Sequence, residues 1–237
     1  MDLEILTGFD GSCPHSERGV TRDGEGRFVL YPSFREREGI SEEAPGAGSR
    51  FSTRIRNSGK QVAETELVLD WETEQRTLHH DLGYIRPEGQ DEWTMVPGIR
   101  LGSVVTYRLS IPPGVTEMGL YPEYNYGACQ RFVESVPGDV AVGVIGKSQQ
   151  GRPIWRLTLP SANPAATCFF IQARDHAYET AGSYCVEGII DFLLSGEALA
   201  EYLRSKFTVV IVPMTNPDGV HNGMSRLTSE RGAAHPI

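Results

Sequence analysis

The first half of the chain alternates apolar and polar residues in the manner of β-strands. Between Val104 and Ile111, the apolar residues Val105, Tyr107 and Leu109 alternate with polar ones, so one face of this segment is apolar. Similar alternation or short apolar runs predict strands at residues 28–31, 51–57, 67–71, 93–96 and 118–121. Turns rich in Gly, Pro and Asn separate these segments, and this spacing predicts an antiparallel β-sandwich over about residues 1–139. Residues 35–48 are expected to form an exposed loop.

The second half of the chain has the pattern of an α/β domain. Strands are predicted at residues 154–159 and 207–214, and the mostly apolar run 167–172 predicts a strand buried on both faces. Apolar residues at helical spacing predict a helix over residues 180–195, which Gly196 is placed to end. A second short helix is expected over residues 197–204.

This order of elements predicts parallel pairing between the strands that contain Phe170 and Val210. The fold class expected for the whole chain is therefore α+β with two domains. Residues 1–139 would form the β-sandwich, and residues 140–237 a partial α/β domain with a parallel or mixed sheet.

Composition and charge exclude several classes of function. The net charge of −9 argues against non-specific binding to nucleic acid or to an anionic membrane surface. No apolar stretch approaches the roughly 18–20 residues that cross a bilayer, and the N-terminus does not have the pattern of a secretory signal. The four cysteines form no CxxC pair, and Cys168 and Cys185 are expected to be buried thiols. This cysteine usage favours a cytoplasmic location.

The segment His176-Ala177-Tyr178-Glu179 is a candidate metal site between the predicted strand and helix. Ligands of α/β sheets collect at the carboxyl ends of the strands, and His and Glu side chains are suitable zinc ligands. The alternative is a surface His beside a Glu that favours the positive helix N-terminus. Spacing alone does not decide between these interpretations.

Three blocks of sequence resemble the zinc carboxypeptidase family, in the order that the family has them. They are residues 145–154 (IGKSQQGRPI), 173–183 (ARDHAYETAGS) and 212–220 (VPMTNPDGV). The cytosolic carboxypeptidase branch is the best match, because it carries an N-terminal β-sandwich and because residues 122–126 (PEYNY) also look like it. Two departures stand out: Ala177-Tyr178 replaces a common Pro-Gly, and the family's later Asp-Leu-Asn-Arg motif is not found before residue 237.

The resemblance implies a zinc-dependent metallocarboxypeptidase that removes C-terminal residues from proteins or peptides. His176 and Glu179 would be two of three protein ligands of Zn²⁺, while the third ligand, the substrate-binding Arg and the general-base Glu are not found. The peptidase domain is therefore expected to be incomplete at its C-terminus, and this chain to be inactive alone. The alternative is a non-catalytic module that binds proteins or peptides on a remnant peptidase scaffold.

Several other residues have open assignments. Arg174 is a candidate for contacting substrate, with a structural salt bridge as the alternative, and Tyr178 either lines the site or packs on the β domain. Asn216 and Asp218 are expected to shape a turn. The junction tyrosines and the other histidines are expected to be structural or surface groups: Tyr121, Tyr124, Tyr126, His79, His80, His221 and His235. A partial sheet is also expected to expose an unpaired apolar edge and to promote self-association.

Overall fold

The structure, a computed structural model, describes residues 3–13, 15–32, 50–72 and 81–226. Thirteen strands and four helices are defined within these ranges. The strands are β1 Leu3–Leu6, β2 His15–Arg22, β3 Phe28–Pro32, β4 Ser52–Asn57, β5 Ala63–Asp70, β6 Leu82–Pro87, β7 Thr94–Leu101, β8 Val104–Ile111, β9 Gly114–Gly119, β10 Ala141–Lys147, β11 Pro153–Leu159, β12 Thr167–Gln172 and β13 Phe207–Val212. The helices are α1 Tyr126–Ser135, α2 Thr180–Leu194, α3 Ala198–Lys206 and α4 Pro217–His221. The expected loop at 35–48 lies outside the described residues.

The first nine strands form one continuous sheet in the order β1-β4-β9-β6-β7-β8-β5-β3-β2. β7 joins its two halves, because its first residues pair with β6 and its last, from Gly98 onward, pair with β8. A sandwich of two separate sheets is therefore not confirmed. One pair also differs from the antiparallel expectation: β3 runs parallel to β5, with Phe28 opposite Leu67.

Both halves of this sheet contribute to a single apolar core. Ile55 and Met118 come from one half, whereas Leu30, Leu67 and Tyr107 come from the other, and all five side chains are buried. Gly98 lies where β7 passes between the halves, and a Cβ there would come within 2.6 Å of a Val105 methyl carbon. The absence of a side chain at Gly98 lets the two strands approach each other closely.

The remaining strands form a mixed sheet in the order β10-β11-β13-β12. β12 and β13 pair in parallel, and Phe170 lies directly opposite Val210, as the sequence predicts. α2 begins and ends close to its expected bounds, and Gly196 beyond it has a φ of +75°. Its buried residues Val186, Ile190 and Leu193 pack in a second core with Leu157 and Ile211 of the sheet.

The prediction that β12, Cys168 and Cys185 are buried is wrong. β12 lies at the edge of its sheet, and its residues Phe169 and Phe170 are 55% and 56% exposed. Cys168 on the same strand and Cys185 on α2 are also exposed rather than buried. An apolar run predicts that a strand is covered, but it does not reveal whether the described part of the chain supplies the cover.

Candidate metal centre

The candidate metal loop, residues 173–179, lies at the carboxyl ends of the parallel strands β12 and β13. β12 ends at Gln172 and α2 begins at Thr180, so the loop is the direct connection between a strand and a helix. Ala173 continues the parallel ladder by donating its backbone N–H to the Val212 carbonyl over 3.1 Å. This is the position at which α/β sheets collect ligands.

His176 and Glu179 come together in this loop. The His176 Nδ1 atom lies 2.8 Å from the Glu179 Oε1 atom, and both side chains are about two-fifths exposed. Glu179 occupies the N-cap position of α2, yet its carboxylate makes no capping hydrogen bond to the helix. Its oxygens are therefore directed toward the imidazole rather than toward the helix backbone.

Arg174 lies beneath the loop and not on its surface. Its side chain is buried, and it donates to the Tyr124 carbonyl, the Ala177 carbonyl and the Ser183 hydroxyl over 2.5–3.1 Å. Burial lowers the pKa of Arg174 to about 10, and the nearby charge of Arg50 acts in the same direction. Arg174 therefore remains charged at neutral pH and holds the loop from within. Its backbone adopts a φ of +63°, which is uncommon for a residue other than glycine.

The third sequence block, residues 212–220, forms hydrogen bonds with the backbone of the metal loop. The Thr215 and Asn216 backbone N–H groups donate to the carbonyls of Ala173 and Arg174 over 3.0 and 3.1 Å. The Thr215 hydroxyl also donates to the Asp175 carboxylate over 2.5 Å. Asn216 shapes the following turn as expected, because its side chain accepts from Gly219 N at the start of α4.

Asp218 joins the third block to the first, a role that the sequence analysis did not identify. Its carboxylate is almost fully buried and accepts from the Ser148 hydroxyl (2.7 Å), the Gln150 backbone N–H (2.9 Å) and the Arg152 guanidinium (2.6 Å). All three donors belong to block 145–154. The sequence signal for this contact was weak: Asp218 carries a negative charge in block 212–220, and Arg152 carries a positive charge in block 145–154.

Tyr178 belongs to the metal loop and packs against the β half of the molecule, the part that contains β1 to β9. Its ring stacks on His176 with centroids 6.1 Å apart, and it also contacts the Tyr121 ring at 6.4 Å. The Arg226 guanidinium carbon lies 5.8 Å from the centre of the Tyr178 ring. Tyr178 thus does both things considered for it, since it borders His176 and packs on the β domain.

The junction tyrosines make packing contacts. Tyr124 is buried and donates its hydroxyl to Glu187, and Tyr126 stacks on Trp155 with centroids 5.1 Å apart. Burial, followed by the hydrogen bond to Glu187, raises the pKa of Tyr124 far above its usual range. These contacts fit the structural role expected for the junction tyrosines.

The structure brings no third metal ligand to the pair. Within residues 3–13, 15–32, 50–72 and 81–226, no group of three or more His, Cys, Asp or Glu side chains could hold a metal ion. His221 pairs instead with Asp10 over 3.0 Å, while His79, His80 and His235 lie outside the described residues. An open cavity of about 260 Å³ adjoins Glu179, between Gln172 and Asp175 on one side and Cys185 of α2 on the other.

Residues 126–232 match the family described as zinc carboxypeptidase. This part of the chain is similar to the zinc carboxypeptidase family. Over 118 residues the chain is 36% identical to cytosolic carboxypeptidase 2 from Xenopus tropicalis, an alignment that covers 45% of this chain and 12% of that protein. It is 39% identical over 115 residues to cytosolic carboxypeptidase 6 from Mus musculus, covering 45% of this chain and 21% of the relative. The chain thus spans a small part of the curated relatives that it matches.

Solved structures of metallo-carboxypeptidases share the fold of nearly the whole chain. The metallo-carboxypeptidase from Burkholderia cenocepacia superposes with a TM-score of 0.76 at 21% identity, covering 98% of this chain and 60% of that one. A metallo-carboxypeptidase from Pseudomonas aeruginosa superposes with a TM-score of 0.71 at 19% identity, covering 94% and 58%. The β half and the peptidase half therefore occur together, in the same order, in other proteins. No helix in the described part of this chain is both long and apolar enough to cross a bilayer.

The donors in the loop fit part of a zinc site. Two ligands of a tetrahedral zinc, each about 2.1 Å from the metal, lie roughly 3.4 Å apart. His176 Nδ1 and Glu179 Oε1 lie 2.8 Å apart and bind each other directly, so they would have to separate by roughly 0.6 Å to occupy two corners of that tetrahedron. An imidazole nitrogen and a carboxylate oxygen are also the right donor types. The pair fits two of the three protein positions of a catalytic zinc.

Proposed function

We propose that this chain contributes His176 and Glu179 to the zinc site of a metallocarboxypeptidase, which hydrolyses the C-terminal residue of a protein or peptide. The observation that carries this proposal is the His176–Glu179 pair at the carboxyl end of a parallel strand pair, within the segment that matches the family. When bound, zinc would polarise the scissile carbonyl and acidify a water molecule. The chain's own part is to hold the imidazole and the carboxylate within reach of one point.

In this proposal Arg174 is a positioning residue rather than a substrate contact. Its donors are directed to the carbonyls of Tyr124 and Ala177, inside the protein. Fixing the Ala177 carbonyl fixes the backbone between the two ligands, because Ala177 follows His176 directly. A preset ligand geometry lowers the entropy lost when a metal binds.

The domain organisation expected from the sequence stands as part of the proposal. Residues 1–139 would form a sandwich-like β domain and residues 140–237 a zinc carboxypeptidase-like domain. The two separate apolar cores support two domains but favour a boundary between Tyr121 and Tyr124, ahead of residue 139, because α1 contributes Cys129 and Val133 to the second core. The names of the curated relatives support a cytoplasmic location. The alternative of a non-catalytic binding module is not favoured, because family and fold both point to the peptidase.

We also propose that the exposed edge at β12 promotes self-association. Within the described residues, β12 pairs only with β13, and the other side of the strand carries unpaired backbone groups beside exposed phenylalanines. An exposed apolar edge is a template for pairing with another strand.

The metal site is tested by zinc analysis of the purified 237-residue polypeptide after dialysis. Because two ligands bind zinc more weakly than three, we expect binding well below one zinc per chain, and its loss in His176→Ala. His221→Ala is the matched control, since His221 pairs with Asp10 instead, and it should retain the wild-type zinc content.

The same polypeptide should release no C-terminal amino acid from peptides at a measurable rate. Within the described residues no further carboxylate joins the pair to act as a general base, and the lack of one removes a contribution of typically ~10²–10⁴ to the rate. Stoichiometric zinc accompanied by turnover would show that the site has a further ligand, and zinc binding that survives His176→Ala would contradict the assignment of His176.

A further inference from the structure

Arg50 lies in the β half of the molecule. Its side chain is buried against the peptidase half, the part of the described chain from Tyr124 onward. It is 2% exposed, and one terminal nitrogen pairs with the Glu123 carboxylate over 2.8 Å. The other terminal nitrogen donates to two backbone carbonyls, that of Val220 at the end of the third sequence block (3.3 Å) and that of Met224 beyond it (3.2 Å). The Arg50 backbone N–H donates to the Ser225 hydroxyl over 3.2 Å. One residue thus fixes the chain from 220 to 225 at three points.

The segment fixed by Arg50 holds the middle of the metal loop in turn. The Ser225 carbonyl accepts the backbone N–H of Tyr178 over 3.1 Å. Tyr178 lies between the two proposed ligands in sequence, and its ring stacks on His176. A path of consecutive hydrogen bonds therefore runs from Arg50 through Ser225 to the backbone between His176 and Glu179.

The contacts of Arg50 are too specific for a residue that merely fills space. Burying a guanidinium is costly, and both terminal nitrogens of Arg50 are paired although its Nε atom is not; an apolar side chain of similar volume would fill the same space without that cost. The planar fork of Arg reaches a carboxylate and two carbonyls at once, which a lysine ammonium cannot reproduce. The geometry at this position therefore suits a residue that sets the position of the 220–225 segment.

We propose that Arg50 is a positioning residue for the metal loop, through which the β half of the protein sets the geometry of the site. This inference rests on the proposed metal centre for its functional consequence, although its structural part does not need zinc. The β half is then a component of the proposed active site and not only its neighbour.

The test measures amide hydrogen exchange by NMR in Arg50→Met, with Arg54→Met as the matched control. Arg54 is also a β-domain arginine paired with a glutamate, but its partner is Glu117, outside the 220–225 contacts. We expect the Tyr178 amide to exchange about ten-fold faster in Arg50→Met than in Arg54→Met. Local opening of the loop in wild type must break the Arg50 hydrogen bonds, and without them the free energy of opening is lower. The Ile190 amide in α2 should exchange at the same rate in both.

Arg50→Lys keeps the folded protein measurable if Arg50→Met does not fold. It retains the charge beside Glu123 but not both carbonyl contacts, and should accelerate Tyr178 exchange by a smaller factor. Equal acceleration at Tyr178 and Ile190, or none at Tyr178, would overturn the inference, because Arg50 would then act only on overall stability.

Zinc titration of the same variants separates this inference from the proposed function. If both hold, the Arg50 variants bind zinc about ten-fold more weakly than Arg54→Met, as is typical when support for a ligand is lost. A wild-type chain in which His176 binds no zinc would overturn the proposed function, while the exchange at Tyr178 would still decide the role of Arg50.

Discussion

At the scale of single residues, the charged groups divide into those that hold the fold and those that are directed outward. Asp218, Arg50 and Arg174 are nearly or fully buried, and each binds several partners, at least one of which comes from a distant part of the chain. His176 and Glu179 are exposed and bind each other. The rigid surroundings are made by the first group, and the proposed chemistry belongs to the second.

Glu117 makes the stability of the β half depend on pH. Its carboxylate lies between Arg54 and Arg86, at 2.7 and 2.6 Å. Burial raises the pKa of Glu117, but the hydrogen bonds and charges of the two arginines outweigh this effect, and the net pKa lies below the ordinary value of 4.5. A carboxyl whose pKa is lowered on folding binds fewer protons in the folded state.

We therefore expect Glu117 to contribute stability that is fully present above about pH 5 and is lost as the pH falls through its lowered pKa. Urea unfolding at a series of pH values should show a smaller acid-side decline in Glu117→Gln than in the wild type. Glu25→Gln is the control, since Glu25 also pairs with an arginine, Arg27, but its side chain is 73% exposed. Identical acid-side slopes for the wild type and Glu117→Gln would contradict this prediction.

Residue identity alone could not have revealed Arg50. Its partners lie 73 to 175 positions further along the chain, and no periodicity connects them. The His176–Glu179 pair was predictable because both members lie within one turn at a strand end. Local spacing can predict that two such residues lie close together, whereas contacts between distant segments become visible only in the folded structure.

At the scale of elements, the sequence predicted the peptidase half better than the β half. β12, α2 and β13 were expected within two residues of their observed bounds, because their apolar runs are long and end at turn residues. β1, β2, β6, β10, α1 and α4 were missed. β6 contains Gly83 and ends in Pro87, which interrupt its alternation, and α1 has only 10 residues, of which about half are polar.

The exposed face of β12 leads to a prediction about association. Phe170→Lys places a charge on the unpaired edge, which is a common way of preventing strand pairing. We expect this variant to sediment more nearly as a monomer than the wild type at the same concentration. Leu101→Lys is the control, because Leu101 is 84% exposed on β7, a strand that has partners on both sides.

Analytical ultracentrifugation over a range of concentrations gives the answer. A wild-type chain that is already monomeric, with a cooperative thermal transition, would contradict the proposal of self-association. Equal effects of the two lysine substitutions would assign the association to general surface hydrophobicity rather than to the β12 edge.

At the scale of the whole molecule, the N-terminal segment ties the two halves together. Asp10 pairs with His221 at the end of α4, and its second oxygen accepts the backbone N–H of Gly127 in the first turn of α1 over 2.7 Å. Asn125 caps the same helix by accepting from Ala128 N. A residue near the start of the chain thus completes the N-terminus of a helix that begins more than a hundred positions later.

Asp10→Ala should lower the free energy of unfolding by about 1–2 kcal/mol, because it removes a helix N-terminal acceptor and an ion pair together. Glu4→Ala is the control: its pair with Arg56 is exposed and within the β half, and its loss should cost less than about 1 kcal/mol. Urea denaturation measures both. An Asp10→Ala effect no larger than that of Glu4→Ala would show that the N-terminal contact does not contribute to stability.

The docking of residues 10–11 has a consequence for the order in which the protein is completed during its synthesis. The backbone N–H of Gly11 donates to the carbonyl of His221, 210 positions later. β1 can pair with β4 as soon as residue 57 has been made, but the segment that follows β1 must wait until α4 has left the ribosome. Until then residues 10–11 remain available to other partners, so a chaperone would have access to this stretch of the nascent chain.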